Sequence, residues 1–126
     1  MKIIFLIGTG GFFGSISRYL LHKVISEYYP GIFPVGTLVV NLTGCLLIGL
    51  IYGLAAKANL LSHEMRMLLA VGFCGSFTTF STFAYEKLYL LQGNALMHAI
   101  GYALLSIVMG VLLVFAGVWL ANFLFS

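Results

Sequence analysis

The side chains with chemistry to offer are concentrated in three apolar stretches. Gly72-Phe73-Cys74-Gly75-Ser76-Phe77-Thr78-Thr79-Phe80-Ser81-Thr82-Phe83 crowds hydroxyls, glycines and phenylalanines into one run. Thr37, Asn41 and Gly44 recur at helical spacing and so share one face. Tyr102 and Ser106 lie one turn apart, with Gly110 a turn further, making a short hydroxyl track that ends in a gap. All of these groups are neutral, and the amide and hydroxyls are hydrogen-bond donors. Donors without a fixed carboxylate suit a small, hard anion, because a pore must replace the shell of water it strips away. Phenylalanine adds to the set, since its ring edge is the positive end of the quadrupole. Such a lining favours an ion of fluoride's size over chloride without singling fluoride out.

Each feature also has a plainer reading. Asn41 is the kind of amide that bonds helix to helix inside a membrane, and Tyr102, Ser106 and Gly110 fit helix packing through small residues. Gly10-x-x-x-Gly14 and Gly49-x-x-x-Gly53 read as close-packing sites of the same sort. Cys45 and Cys74 fall inside apolar runs, where their spacing suggests neither a disulfide nor a metal site. No nucleophile–base or metal constellation is present, so an enzyme is not expected.

Elements that hold such groups must lie in lipid. Of the 126 residues, 62% are hydrophobic and 7% charged, against roughly 25% charged in soluble domains. Residues 28–56, 67–85 and 88–126 contain no Asp, Glu, Lys or Arg, and the first apolar run is interrupted only by Arg18. About 20 apolar residues cross a bilayer, which gives an all-α membrane protein with four spans at roughly 3–22, 36–56, 66–91 and 95–123. Glycine and β-branched threonine both weaken a helix, so a break is expected in the third span. Carbonyls freed there must be buried, bonded or coordinating an ion. The three histidines fall near span ends and read as interfacial. Glu86 is the one acid near a span interior, at the end of span three beside Lys87. The net charge of +3 comes from scattered residues with no basic stripe, so nucleic acid is not an expected partner.

Topology normally follows the excess of Lys and Arg on one side. Here Lys2, Lys57 and Arg66 oppose Arg18, Lys23 and Lys87, three against three. A balanced chain can insert both ways and form an antiparallel dimer, the inverted symmetry that many transporters build from internal repeats. A single fixed orientation, with one charge too deep to count, stays open.

Three segments carry a resemblance. Gly10-Gly11-Phe12-Phe13-Gly14-Ser15-Ile16-Ser17-Arg18-Tyr19, Gly36-Thr37-Leu38-Val39-Val40-Asn41-Leu42-Thr43-Gly44 and Gly72 through Phe83 resemble the first, second and third spans of the Fluc (CrcB) fluoride channels. The resemblance covers essentially the whole chain. It implies a passive fluoride channel of the bacterial inner membrane that relieves fluoride toxicity, built as an antiparallel dual-topology homodimer with two pores. Asn41, Thr82, Ser81, Tyr102 and Ser106 would line a pathway, with Phe80 and Phe83 as its aromatic box and Glu86 steering the ion. Arg18 would stand near a pore mouth. The carbonyls of Gly75 and Thr78 would hold a structural sodium ion on the two-fold axis. Gly110 departs from the pattern where a further hydroxyl sometimes stands, and Ser76 where glycine is frequent. The main rival is a small dual-topology, proton-coupled multidrug exporter. It needs an acid deep in span one, and this span has none.

Overall fold

The computed structural model describes residues 1–57 and 60–126, and every regular element within them is helical. Four helical stretches are long and apolar enough to cross a membrane: Lys2–Tyr28, Val35–Ala56, His63–Gln92 and Leu96–Leu124. The chain is thus an all-α, multi-pass membrane protein.

Helix α1 (Lys2–Tyr28) has 27 residues, about 40 Å of length, so it outruns a hydrocarbon core of about 30 Å. It carries Lys23, Ser26 and Glu27 beyond the apolar run. Pro34 closes the following loop and serves as N-cap of α2 (Val35–Ala56), where a fixed φ and a missing N–H cost nothing. The third stretch is composite. A short α3 (His63–Arg66) starts at Ser62, whose hydroxyl accepts the Met65 N–H at 3.2 Å. A π-helical segment follows over Met67–Cys74, then a single turn, α4 (Gly75–Phe77). Thr78 (φ −86°, ψ 157°) and Thr79 (φ −146°, ψ 115°) are extended. Helix resumes as α5 (Phe80–Gln92), capped by the Thr79 hydroxyl, which accepts the Thr82 N–H at 3.2 Å. Asn94, with φ 57°, turns the chain into α6 (Leu96–Leu124); asparagine tolerates this left-handed conformation.

Two pairs of helices meet backbone to backbone. A methyl added at Gly10 would strike the Leu68 carbonyl and lie 2.8 Å from Phe73 N, and one at Gly14 would strike the Phe73 carbonyl. That joins α1 to the π segment. A methyl at Gly117 would lie 2.5 Å from the Leu46 carbonyl and 2.7 Å from Leu50 N, while one at Gly49 would strike the Val114 carbonyl, joining α2 to α6. Without a hydrophobic drive between helices in lipid, such close van der Waals approach is a principal source of association. A side-chain core of Leu38, Phe83, Leu90, Ala99 and Tyr102 joins α2, α5 and α6.

Lys2 pairs with Glu64 at 3.0 Å. Lys57 donates to the Asn122 carbonyl at 3.0 Å, where a cation complements the negative end of α6. These contacts gather the start of α1, the α2–α3 junction and the end of α6 at one end of the bundle. Large apolar side chains stay exposed on the single chain, among them Phe12, Ile107, Val111 and Phe115. In a bilayer this surface meets lipid or protein.

Candidate functional site

The interruption between α4 and α5 frees main-chain groups at membrane depth, and Asn41 of α2 receives them. Its Nδ2 donates to the Thr79 carbonyl at 3.0 Å, and its Oδ1 accepts the Thr79 N–H at 2.8 Å. Both polar groups of one extended residue are thereby satisfied by one amide. The second Nδ2 hydrogen remains for another acceptor. Gly44, one turn further on the same face, makes room: a methyl there would strike the Thr78 side chain. Because the Thr79 N–H goes to Asn41, the Gly75 carbonyl lacks its ordinary helical donor, and Gly75 is exposed. Thr78 turns inward, its N–H and hydroxyl both donating to the Cys74 carbonyl at 3.0 and 2.9 Å.

Beside the interruption is a cleft of about 230 Å³ lined by Arg18, Tyr19, His22, Thr37, Val40, Thr79 and Thr82. Arg18 belongs to this cleft, some ten residues before the end of α1. The Thr79 hydroxyl lies 3.1 Å from the Thr82 hydroxyl and 3.4 Å from that of the exposed Ser81. A second cavity of about 250 Å³ opens toward the end of the bundle between α1, α2, α5 and the 29–34 loop, with His22, Ser26, Gly36 and Glu86 in its wall. Thr37 is fully buried, and its hydroxyl has no hydrogen-bond partner. It stands next to the Glu86 carboxyl and the Tyr102 hydroxyl.

Rings line the other flank. Phe80 and Phe83 have centroids 5.9 Å apart. Phe83 meets Tyr102 edge to face at 4.9 Å, and Tyr102 meets Phe33 in the same way at 5.6 Å. The two phenylalanines differ in burial: Phe83 is 9% exposed and Phe80 79%. Tyr102 donates to Glu86 Oε1 at 3.5 Å, and Lys87 Nζ sits 4.9 Å from the Phe83 centroid. The Ser106 hydroxyl is buried without a partner, one turn along α6 from Tyr102. Gly110 leaves space that Cys45 Sγ approaches, 3.4 Å from where a methyl would sit. The Ser76 hydroxyl points at Gly11 of α1, away from Asn41.

Asn41, Thr82, Ser81, Phe80, Phe83, Tyr102 and Glu86 thus lie around the interruption and its clefts, and Ser106 sits one turn outside them. Sequence reasoning put Thr37 on the Asn41 face and Thr79 in the third-span run without giving either a place in the pathway, and it read His22 as interfacial. His22 follows Arg18 by four residues, the spacing that puts two side chains on one helical face, and that signal would have found it. Among the described residues no group of three His, Cys, Asp or Glu is placed to hold a metal ion. Main-chain oxygens are the donors on offer.

The model of the family described as "CrcB-like protein, Camphor Resistance (CrcB)" matches residues 5–118. A "Fluoride-specific ion channel FluC" of Chlorobium phaeobacteroides is 47% identical over 119 residues, covering 94% of this chain and 92% of the relative. One of Flavobacterium psychrophilum is 43% identical over 122 residues, covering 97% and 98%. "Fluoride-specific ion channel FluC 1" of Carboxydothermus hydrogenoformans is 42% identical over 123 residues, covering 98% and 96%.

Proposed function

The chain belongs to the CrcB-like protein family, and from that premise we propose that it conducts fluoride passively across the membrane, down the ion's electrochemical gradient, relieving cytoplasmic fluoride toxicity. It is an ion channel and not an enzyme. The bacterial inner membrane is the compartment this role requires.

The observation that carries the reading is the seam of neutral donors beside an interrupted helix. The second Nδ2 hydrogen of Asn41, the hydroxyls of Thr82, Ser81 and Ser106, and the edges of Phe80 and Phe83 replace the water that fluoride leaves behind, with Tyr102 joining them when its single hydroxyl hydrogen leaves Glu86. Fixed donors cost no reorganisation as the ion passes. Arg18 adds positive potential to the cleft, which concentrates anions. Glu86, bonded to Tyr102, steers the ion at the outer end of the seam.

The working unit is an antiparallel homodimer with two pores along its interface. Two observations support this. The Phe80 ring stands 79% exposed beside the interruption, so the aromatic wall is finished by a second chain. Lys2, Lys57 and Arg66 against Arg18, Lys23 and Lys87 leave no charge bias to fix a single orientation.

A sodium ion suits the Gly75 and Thr78 carbonyls. Gly75 is exposed and has lost its helical donor to Asn41, and hard cations prefer oxygen ligands. Two chains would supply four carbonyls. Bound there, the ion would supply charge that ties two interrupted helices together, with no part in the permeation step.

The test is efflux from liposomes reconstituted with the purified protein, under potassium and valinomycin, with fluoride- and chloride-selective electrodes. Fast fluoride release with little chloride release is the expected result. Folded, sodium-containing dimers that release no fluoride would overturn the reading.

A further inference from the structure

We propose that His22 is a proton-dependent gatekeeper of this pathway: its imidazole, standing between the outer cavity and the inner cleft, sets how readily fluoride passes Glu86. The inference rests on the fluoride-channel reading and goes beyond it.

Position is the first argument. Two cavities, of about 250 and 230 Å³, lie in succession along α1, and His22 is in the wall of both. An ion moving from one to the other passes the imidazole. Gly36 fixes the ring there: a methyl on that glycine would lie 3.0 Å from Cδ2 and 3.2 Å from Nε2 of His22. The Cδ2–Nε2 edge of the ring therefore meets the first turn of α2, in space that a side chain at position 36 would crowd. Next to this passage the Thr37 hydroxyl is fully buried beside the Glu86 carboxyl and the Tyr102 hydroxyl, a polar group at the point where a desolvated ion needs one.

Charge is the second. From α1 itself Arg18 and Tyr19 line the inner cleft; α2 contributes no ionisable group to either cavity, and the loop offers Tyr29. From α5 come Glu86 and Tyr89, and from α6 Tyr102, already bonded to Glu86. Arginine keeps its charge and tyrosine stays neutral at cellular pH. Glu86 and His22 are thus the two groups able to respond to protons. His22 and the Glu86 carboxylate share the wall of the outer cavity. With a neutral imidazole, that carboxylate opposes an approaching anion. A protonated imidazole offsets it and presents N–H donors to fluoride, so acidification speeds admission.

The test is fluoride current across planar bilayers at equal pH on both sides, where neutral hydrogen fluoride carries no current. Wild-type current rises roughly threefold to tenfold from about pH 7.5 to about pH 5.5, the size of a partly screened charge effect. His22→Gln, which keeps a polar side chain but cannot gain charge, loses this response. His22→Arg, with a fixed charge, also loses it. Glu86→Gln keeps a response, because the imidazolium still attracts the anion. A wild-type current that ignores pH overturns the inference, as does a His22→Gln response equal to wild type. If His22→Gln fails to assemble, His22→Arg decides by the same ratio. Absence of fluoride current at every pH strikes the channel reading itself and the inference with it.

Discussion

Replacing Asn41 with leucine keeps the branched shape of the side chain and removes both of its polar atoms. Two main-chain groups of Thr79, held at 3.0 and 2.8 Å, then lose their partners. A buried group left unpaired costs about 1–3 kcal/mol, so the pair together costs about 2–6 kcal/mol. The chain has one escape: Thr78 and Thr79 fold back into helix and return the Thr79 N–H to the Gly75 carbonyl. Two residues would then shorten from about 3.3 Å each to about 1.5 Å each, drawing α5 along its axis by about 3.6 Å. That exceeds half the 5.9 Å spacing of the Phe80 and Phe83 rings and misplaces the aromatic wall. Thr78 would also have to leave its seat against Gly44. Whichever route is taken, the ion loses an amide donor, worth about 1.5–3 kcal/mol to a charged acceptor. Conduction should fall roughly ten- to a hundredfold, since about 1.4 kcal/mol is a factor of ten. Thermal unfolding of the purified protein and fluoride efflux are the paired assays, and both should decline. Wild-type stability together with wild-type efflux refutes the reasoning. Reduced stability with full efflux would leave Asn41 as a clamp on Thr79 and remove it from the pathway.

Phe80→Ile should cripple fluoride efflux while the protomer fold, read by circular dichroism, stays intact, because the ring is mostly exposed on a single chain. Phe83→Ile should do the same and also lower the melting temperature, since it loses the edge-to-face contact with Tyr102, worth about 0.5–1.5 kcal/mol beyond area burial. Exchanging sodium for a large organic cation should lower the protein's melting temperature; at a hundredfold excess over its dissociation constant a bound ion contributes about 2.7 kcal/mol. An unchanged melting curve would remove sodium from Gly75 and Thr78. Lys57→Gln leaves two basic residues against three and frees the Asn122 carbonyl, a loss of about 0.3–1 kcal/mol. Labelling of a C-terminal tag should find both membrane faces occupied in the wild type and one favoured in the variant.

The four apolar stretches are legible in the sequence because charge is costly in hydrocarbon, and residues 28–56, 67–85 and 88–126 carry none. Glycine and threonine also point to the segment around Thr78 and Thr79. The partner of that segment is harder to read. Asn41 and Thr79 are 38 residues apart, and no local pattern reports a contact between two spans. Composition makes Phe80 and Phe83 equivalent, yet tertiary packing buries one and exposes the other. The sequence reads His22 as interfacial because the apolar run stops near residue 22, while its approach to Gly36 of α2, on a helix that continues to Tyr28, leaves no mark in the sequence. The wide turn over Met67–Cys74 has no sequence mark, since propensity reflects the cost of helical dihedrals and not which carbonyl each N–H selects.

That wide turn bears on how the chain tolerates changes in length. A π-helical stretch holds more residues per turn than an α-helix, so Met67–Cys74 acts as a local store of chain. Losing one residue elsewhere in a membrane helix rotates everything beyond it by about 100° and turns buried faces to lipid. Losing one between Met67 and Cys74 is absorbed by tightening the turn toward ordinary α-helix. Natural single-residue gains and losses in the third span should therefore collect in this segment, upstream of Thr78, where they leave α5 and its rings in place.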